Sequence, residues 1–162
     1  FSIEQCNKIL LEIKQTEESI SKNYDVLERI KQNLEDYTSR YLLILSESTN
    51  IQFLIESLIK EKGRNYVFYN GSQFKEDKHS QTYNIKMLTQ MNKAAEEGKI
   101  LCLSNLEYIY PSYYDVFNQN YMIREKKKYA KVALGTNTNI QTYIHDEFRV
   151  IVFLNKFKKQ QL

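Results

Sequence analysis

The spacing of apolar positions divides the chain into two textures. In residues 1–37 a 3–4 spacing falls on Ile3, Cys6, Leu10, Ile13, Glu17, Ile20, Tyr24, Leu27, Lys31 and Leu34, with no glycine or proline in the segment. Such an a/d seam predicts a long helix, or a helix pair broken near 19–23. It suits either pairing with another helix or a helical arm docked on its own domain. From Arg40 onward short apolar runs alternate with helical stripes. Tyr41–Leu45 predicts a first strand buried on both faces. Thr49 then caps a helix, with Gln52 three residues on and Ile51, Leu54, Ile55, Leu58 and Ile59 as its stripe. Gly63 stops that helix.

Tyr66–Tyr69 predicts the second strand, ended by Asn70-Gly71-Ser72. A second helix is expected over 82–97, with Ile85, Leu88, Met91 and Ala95 inward and Gly98 as its stop. Ile100–Leu103 predicts the third strand. A third helix is expected from Pro111, with Tyr113, Tyr114, Phe117 and Tyr121 as its apolar face. Residues 129–134 and 140–144, around the tip Gly135-Thr136-Asn137-Thr138-Asn139, predict a hairpin, and 148–154 a last strand. The order β-α-β-α-β-α-hairpin-β predicts an α/β fold, with a parallel sheet covered on both faces and right-handed crossovers. Ligands in such sheets bind at the carboxyl ends of the strands, which here are Ser46–Asn50, Ser104–Glu107 and Asn155.

Glycine content then narrows the chemistry. The four glycines stand at 63, 71, 98 and 135, and no two are five apart. A phosphate loop needs that spacing followed by Lys and Ser/Thr, so that main-chain N–H groups wrap the phosphates while the Lys and hydroxyl reach the outer phosphate and magnesium. Neither that loop nor G-x-G-x-x-G is present. The loop after the first strand, Ser46-Glu47-Ser48-Thr49-Asn50, offers hydroxyls but sets a carboxylate where phosphate would lie. A hydrolytic strand end needs Asp-Glu to hold magnesium and activate water. Asn105 is neutral and Glu107 is displaced. Asn155 ends the last strand where related ATPases place a polar residue that positions the attacking water.

No G-x-S-x-G or H-E-x-x-H is present. Cys6 and Cys102 belong to no C-x-x-C, and His79 and His145 lie near neither, so no zinc site is expected and the thiols read as reduced. Residues 81–162 carry 12 basic and 7 acidic groups, with Arg124, Lys126, Lys127, Lys128 and Lys131 clustered. That cluster reads as a solvated surface, and the tyrosines at 108–121 read as packing. Nucleic acid is not an expected partner. The apolar runs are too short to span a bilayer.

One family shares these residues. Asn105–Tyr121 resembles the segment NLxxLYxSLYDxLNQxY of mysterin-like giant E3 ubiquitin ligases with tandem AAA+ modules. Lys128–Thr136 is similar to its KYxxLGLGT, Ile144–Asn155 to its VHxxFRLIV, and Arg40–Ser46 to its RYLLLL strand. The resemblance implies a P-loop NTPase-like AAA+ core over 38–162, carrying a β-hairpin insert and truncated before the helical lid. It makes 46–50 the Walker A position, Asn105 and Glu107 the Walker B position, and Asn155 the sensor-1 position. Because the Walker residues depart from an active module, it also implies a non-hydrolysing module that passes motion between working modules of a cytoplasmic chain. ATP, magnesium, zinc and ubiquitin transfer would belong to other parts of the parent. The alternative is a dimerisation or interaction module working through 1–37 with a helix partner, without nucleotide.

Overall fold

The computed structural model describes residues 26–36, 38–39, 41–47, 50–135 and 138–155. The chain divides into two compact units, residues 1–36 and 37–162. In the first, α1 (Val26–Glu35) buries Ile30 and Leu34. Of the expected seam only Leu27, Lys31 and Leu34 fall within described residues, and the rest of it lies outside them. The buried position is Ile30 rather than Lys31, so the apolar stripe runs 27-30-34, one residue off the charged seam position.

The second unit is built on four parallel strands, β1 (Leu42–Ser46), β2 (Tyr66–Asn70), β3 (Ile100–Ser104) and β7 (Arg149–Asn155), in the order β1-β7-β3-β2. β3 and β7 each have a strand on both sides, and every residue of β3 is buried. β1, expected to be buried on both faces, is an edge strand, and Leu43 and Leu45 remain more than half exposed.

Side chains alternate across the sheet. Leu101, Leu103 and Val150 face α4 (Gln81–Glu96), whose Leu88, Met91 and Ala95 belong to the same core cluster. The opposite face packs Phe68 against Phe153, ring centroids 5.8 Å apart. There α2 (Asn50–Glu61) buries Ile55 and Ile59, and its Glu56 accepts a hydrogen bond from the Tyr66 hydroxyl at 3.0 Å.

The two long helices end alike. Gly63 and Gly98 adopt φ of +65° and +68°. Behind them Gly63 N bonds Lys60 O and Arg64 N bonds Ile59 O, while Gly98 N bonds Ala95 O and Lys99 N bonds Ala94 O. These are Schellman closures, for which glycine is suited because a left-handed residue must follow the helix. α4 starts at Ser80, whose hydroxyl accepts from Tyr83 N. A short polar helix, α3 (Lys75–His79), precedes it. It has no apolar stripe to betray it; Ser72 Oγ instead holds its first turn through Phe74 N and Asp77.

The third expected helix is far shorter. A 3₁₀ turn at Tyr110–Tyr113 leads into the one-turn α5 (Tyr114–Phe117). Gln119 at φ 57° ends it in another Schellman closure, with Gln119 N on Val116 O and Asn120 N on Asp115 O. No glycine marks this stop, so the sequence pattern runs through it. Tyr113 is buried as expected, but Tyr114 is 63% exposed. The chain then forms a meander of β4 (Met122–Arg124), β5 (Lys127–Ala133) and β6 (Asn139–Ile144). The expected two-stranded hairpin is thus a three-stranded antiparallel sheet. β4 was hidden because it is three residues long and joined by Glu125-Lys126, both left-handed at φ 49° and 64° without being glycine.

Candidate functional site at the carboxyl ends of the strands

The four parallel strands end on Ser46, Asn155, Ser104 and Asn70, in that order across the sheet. Ser46 stands directly beside Asn155, and Ser104 beside both Asn70 and Phe153. The fold therefore sets Ser46, Ser104 and Asn155, one from each of the three expected regions, on one rim. All four strand-end residues are neutral, so the rim offers hydroxyls and amides rather than carboxylates. Glu47 follows β1 as an exposed residue, and Asn50 opens α2. Ser48 and Thr49, which complete the expected Walker A position, lie outside the described residues.

Asn105 leaves β3 at φ 56°, a left-handed conformation that asparagine tolerates better than most residues. Its amide Nδ2 donates to Asn70 Oδ1 at 2.7 Å. The main chain reinforces this clasp: Gly71 N donates to Ser104 O at 2.8 Å. Gly71 lies so close that a Cβ there would sit 1.9 Å from the Asn105 carbonyl oxygen. The Asn105 amide is thus directed sideways, along the rim, toward the end of β2. Asn70 and Gly71 were legible in the sequence only as a strand stop. Their pairing with Asn105 needs two strands separated by two helices to lie side by side.

Glu107 is two residues further along, half-buried in the turn before the 3₁₀ segment, where its carbonyl accepts from Tyr110 N at 3.3 Å. Burial pushes the Tyr110 hydroxyl above its ordinary range, and the Glu107 charge adds to that. Glu107 thus belongs to the turn that opens the tyrosine segment, two residues past Asn105. Cys102, in the middle of β3, is a buried free thiol pushed up to about 12, mainly by burial and further by the Glu56 carboxylate. It is a core residue, unsuited to nucleophilic work at neutral pH. Among the described residues no three His, Cys, Asp or Glu side chains cluster as metal ligands, and no helix is long and apolar enough to cross a membrane.

The order of the strands, with the β7 strand between β1 and β3, and the meander inserted before β7 carry the fold beyond a generic α/β sheet. Residues 31–162 match the family described as the RNF213 AAA domain. The chain belongs to that family. Human E3 ubiquitin-protein ligase RNF213 is 29% identical over 152 residues, covering 86% of this chain and 3% of that protein. The mouse protein of the same name is 32% identical over 124 residues, 76% of this chain and 2% of its own length. Zebrafish E3 ubiquitin-protein ligase rnf213-beta is 29% identical over 136 residues, 79% and 3%. The chain thus spans about one-thirtieth of the curated relatives it matches. The RNF213-family AAA assignment agrees with the mysterin-like resemblance over Asn105–Asn155 and with the parallel α/β core.

Proposed function

We propose that this RNF213-family AAA module is a non-hydrolysing spacer that carries motion between neighbouring modules of one long chain. The Asn70–Asn105 clasp is the observation that supports this reading most. A magnesium-dependent hydrolase needs a carboxylate at the end of β3, free to face the metal. Here the residue past β3 is a neutral amide that spends a donor on the neighbouring strand end. The residues of the rim do not fit a triphosphate. No glycine lies in 46–50, no lysine follows it there, and Glu47 contributes negative charge. Ubiquitin transfer, named for the relatives, belongs in this reading to other parts of a parent chain.

Isothermal titration of the 162-residue chain with Mg-ATP tests the proposal. No saturable heat is expected up to millimolar nucleotide, with the fold verified by circular dichroism in the same sample. Asn105→Asp, which restores a carboxylate at the strand end, is expected to leave ATP turnover of a full-length chain unchanged. Micromolar binding of Mg-ATP to the unaltered chain would contradict the proposal.

A further inference from the structure

The register of the meander sorts its side chains into two faces. Ala130, Val132, Thr142 and Ile144 are buried and form the inner face. Strand alternation then puts Arg124 of β4, Lys127, Tyr129 and Lys131 of β5, and Gln141 and Tyr143 of β6 on the outer face. Arg124 pairs with Lys127, Tyr129 with Tyr143, and Lys131 with Gln141. The two tyrosine rings lie 5.9 Å apart at the centre of the sheet, and Lys127 Nζ lies 5.7 Å from the Tyr143 centroid. Arg124, Lys127 and Lys131 are exposed around them.

We propose that this outer face binds single-stranded nucleic acid, with phosphates against Arg124, Lys127 and Lys131 and bases against Tyr129 and Tyr143. The argument rests on charge and on shape. No carboxylate stands on the face in any of the three strands. Of the acidic groups nearby, Asp146 pairs with Lys128 at 2.8 Å and Glu125 sits in the turn, while Asp115, which accepts from Asn120, stands at the Lys131 end of the face. Lys127 and Lys131 are four residues apart along one strand, about 13 Å by the strand rise, so the cations follow a line rather than a point. An open antiparallel sheet with central aromatics and a basic margin suits an extended strand whose bases are unpaired. At the far end of β5 a cleft of about 170 Å³ lined by Tyr114, Asp115, Lys131 and Asn139 bounds this surface. An acidic polypeptide would use the cations alone and leave the tyrosine pair without a role.

Fluorescence anisotropy of a labelled oligouridylate with the 162-residue chain tests this. Binding is expected at low salt, weakening steeply as salt rises. Each of Arg124→Gln, Lys127→Gln and Lys131→Gln should lower the slope of log K against log salt by about 0.7. Tyr129→Ala should weaken binding at least about five-fold, while Tyr129→Phe, which keeps the ring and guards against misfolding, leaves it near the parent value. Absence of binding at low salt, an unchanged slope in the triple variant, or equal competition by polyglutamate would each overturn the proposal.

Discussion

At the scale of single residues, Gly71 does the most to shape the candidate site. It lets the end of β2 approach Asn105 closely enough for Gly71 N to reach Ser104 O and for the two asparagine amides to meet. A methyl group there would overlap main-chain atoms that cannot rotate away. Gly71→Ala is expected to destabilise the fold by about 3 kcal/mol, at the upper end of ordinary overpacking. Gly63→Ala provides the contrast. Among the described residues nothing lies within 4 Å of its Cβ position, so its left-handed φ is what opposes the change, and a cost of about 1 kcal/mol is expected. Urea unfolding of both variants measures the difference, and equal losses would show that the clasp is not tight. The sequence announced Gly71 as a turn residue but not as a close approach, because the atom it must avoid belongs to a residue 34 positions later.

At the scale of elements, burial follows position in the sheet more than composition of the strand. β1 reads as apolar as β3, yet β3 is enclosed by β7 and β2 while, among the described residues, β1 has a neighbour on one side only. Leu103 is fully buried and Leu43 is 54% exposed, though both sit inside apolar runs. Leu103→Ala should therefore cost roughly 2–5 kcal/mol, and Leu43→Ala under about 1 kcal/mol. Thermal or urea unfolding that ranked the two the other way would mean the strand order is different. The helices were legible where a glycine closed them, at Gly63 and Gly98. The third helix was misjudged where Gln119 took the left-handed place, and the β4–β5 turn where Glu125-Lys126 closed it without glycine. In both cases the left-handed residues are not glycine, so the local signal for a stop is missing.

At the scale of the whole molecule, one joint ties the start of the domain to its far end. Arg149, 3% exposed at the start of β7, donates to Ser39 O at 2.9 Å and lies over the Tyr41 ring. The Tyr41 and Tyr121 hydroxyls meet at 2.6 Å, which brings the meander into the same joint. Burial, and then the neighbouring Tyr121, holds the Tyr41 hydroxyl well above the ordinary tyrosine range, and burial does the same for Tyr113. With Cys102 pushed up from 9.0 to about 12, the folded chain keeps protons that the unfolded chain gives up. The unfolded state then binds fewer protons, so stability must fall as pH rises. The decline is expected to begin near pH 9 and continue through about pH 12, read as a falling urea midpoint. A midpoint that held steady across that interval would mean these groups are more open to water than the structure has them.

The sequence by itself determined the four strands of the parallel sheet and the two long helices beside them, because hydrophobic period and glycine stops are local properties. It also determined the neutral character of the rim, since Ser46, Ser104, Asn105 and Asn155 are what the chain places after its apolar runs. The stretch 105–155 carried enough residues of one pattern to point to the family before any coordinate was known. Only the tertiary structure decided that β1 lies at an edge, that Asn105 reaches across to Asn70, and that Arg124, Lys127 and Lys131 share a face with two tyrosines. Each of these depends on strand order or register, which bring together residues far apart in the chain, and no local pattern encodes that distance.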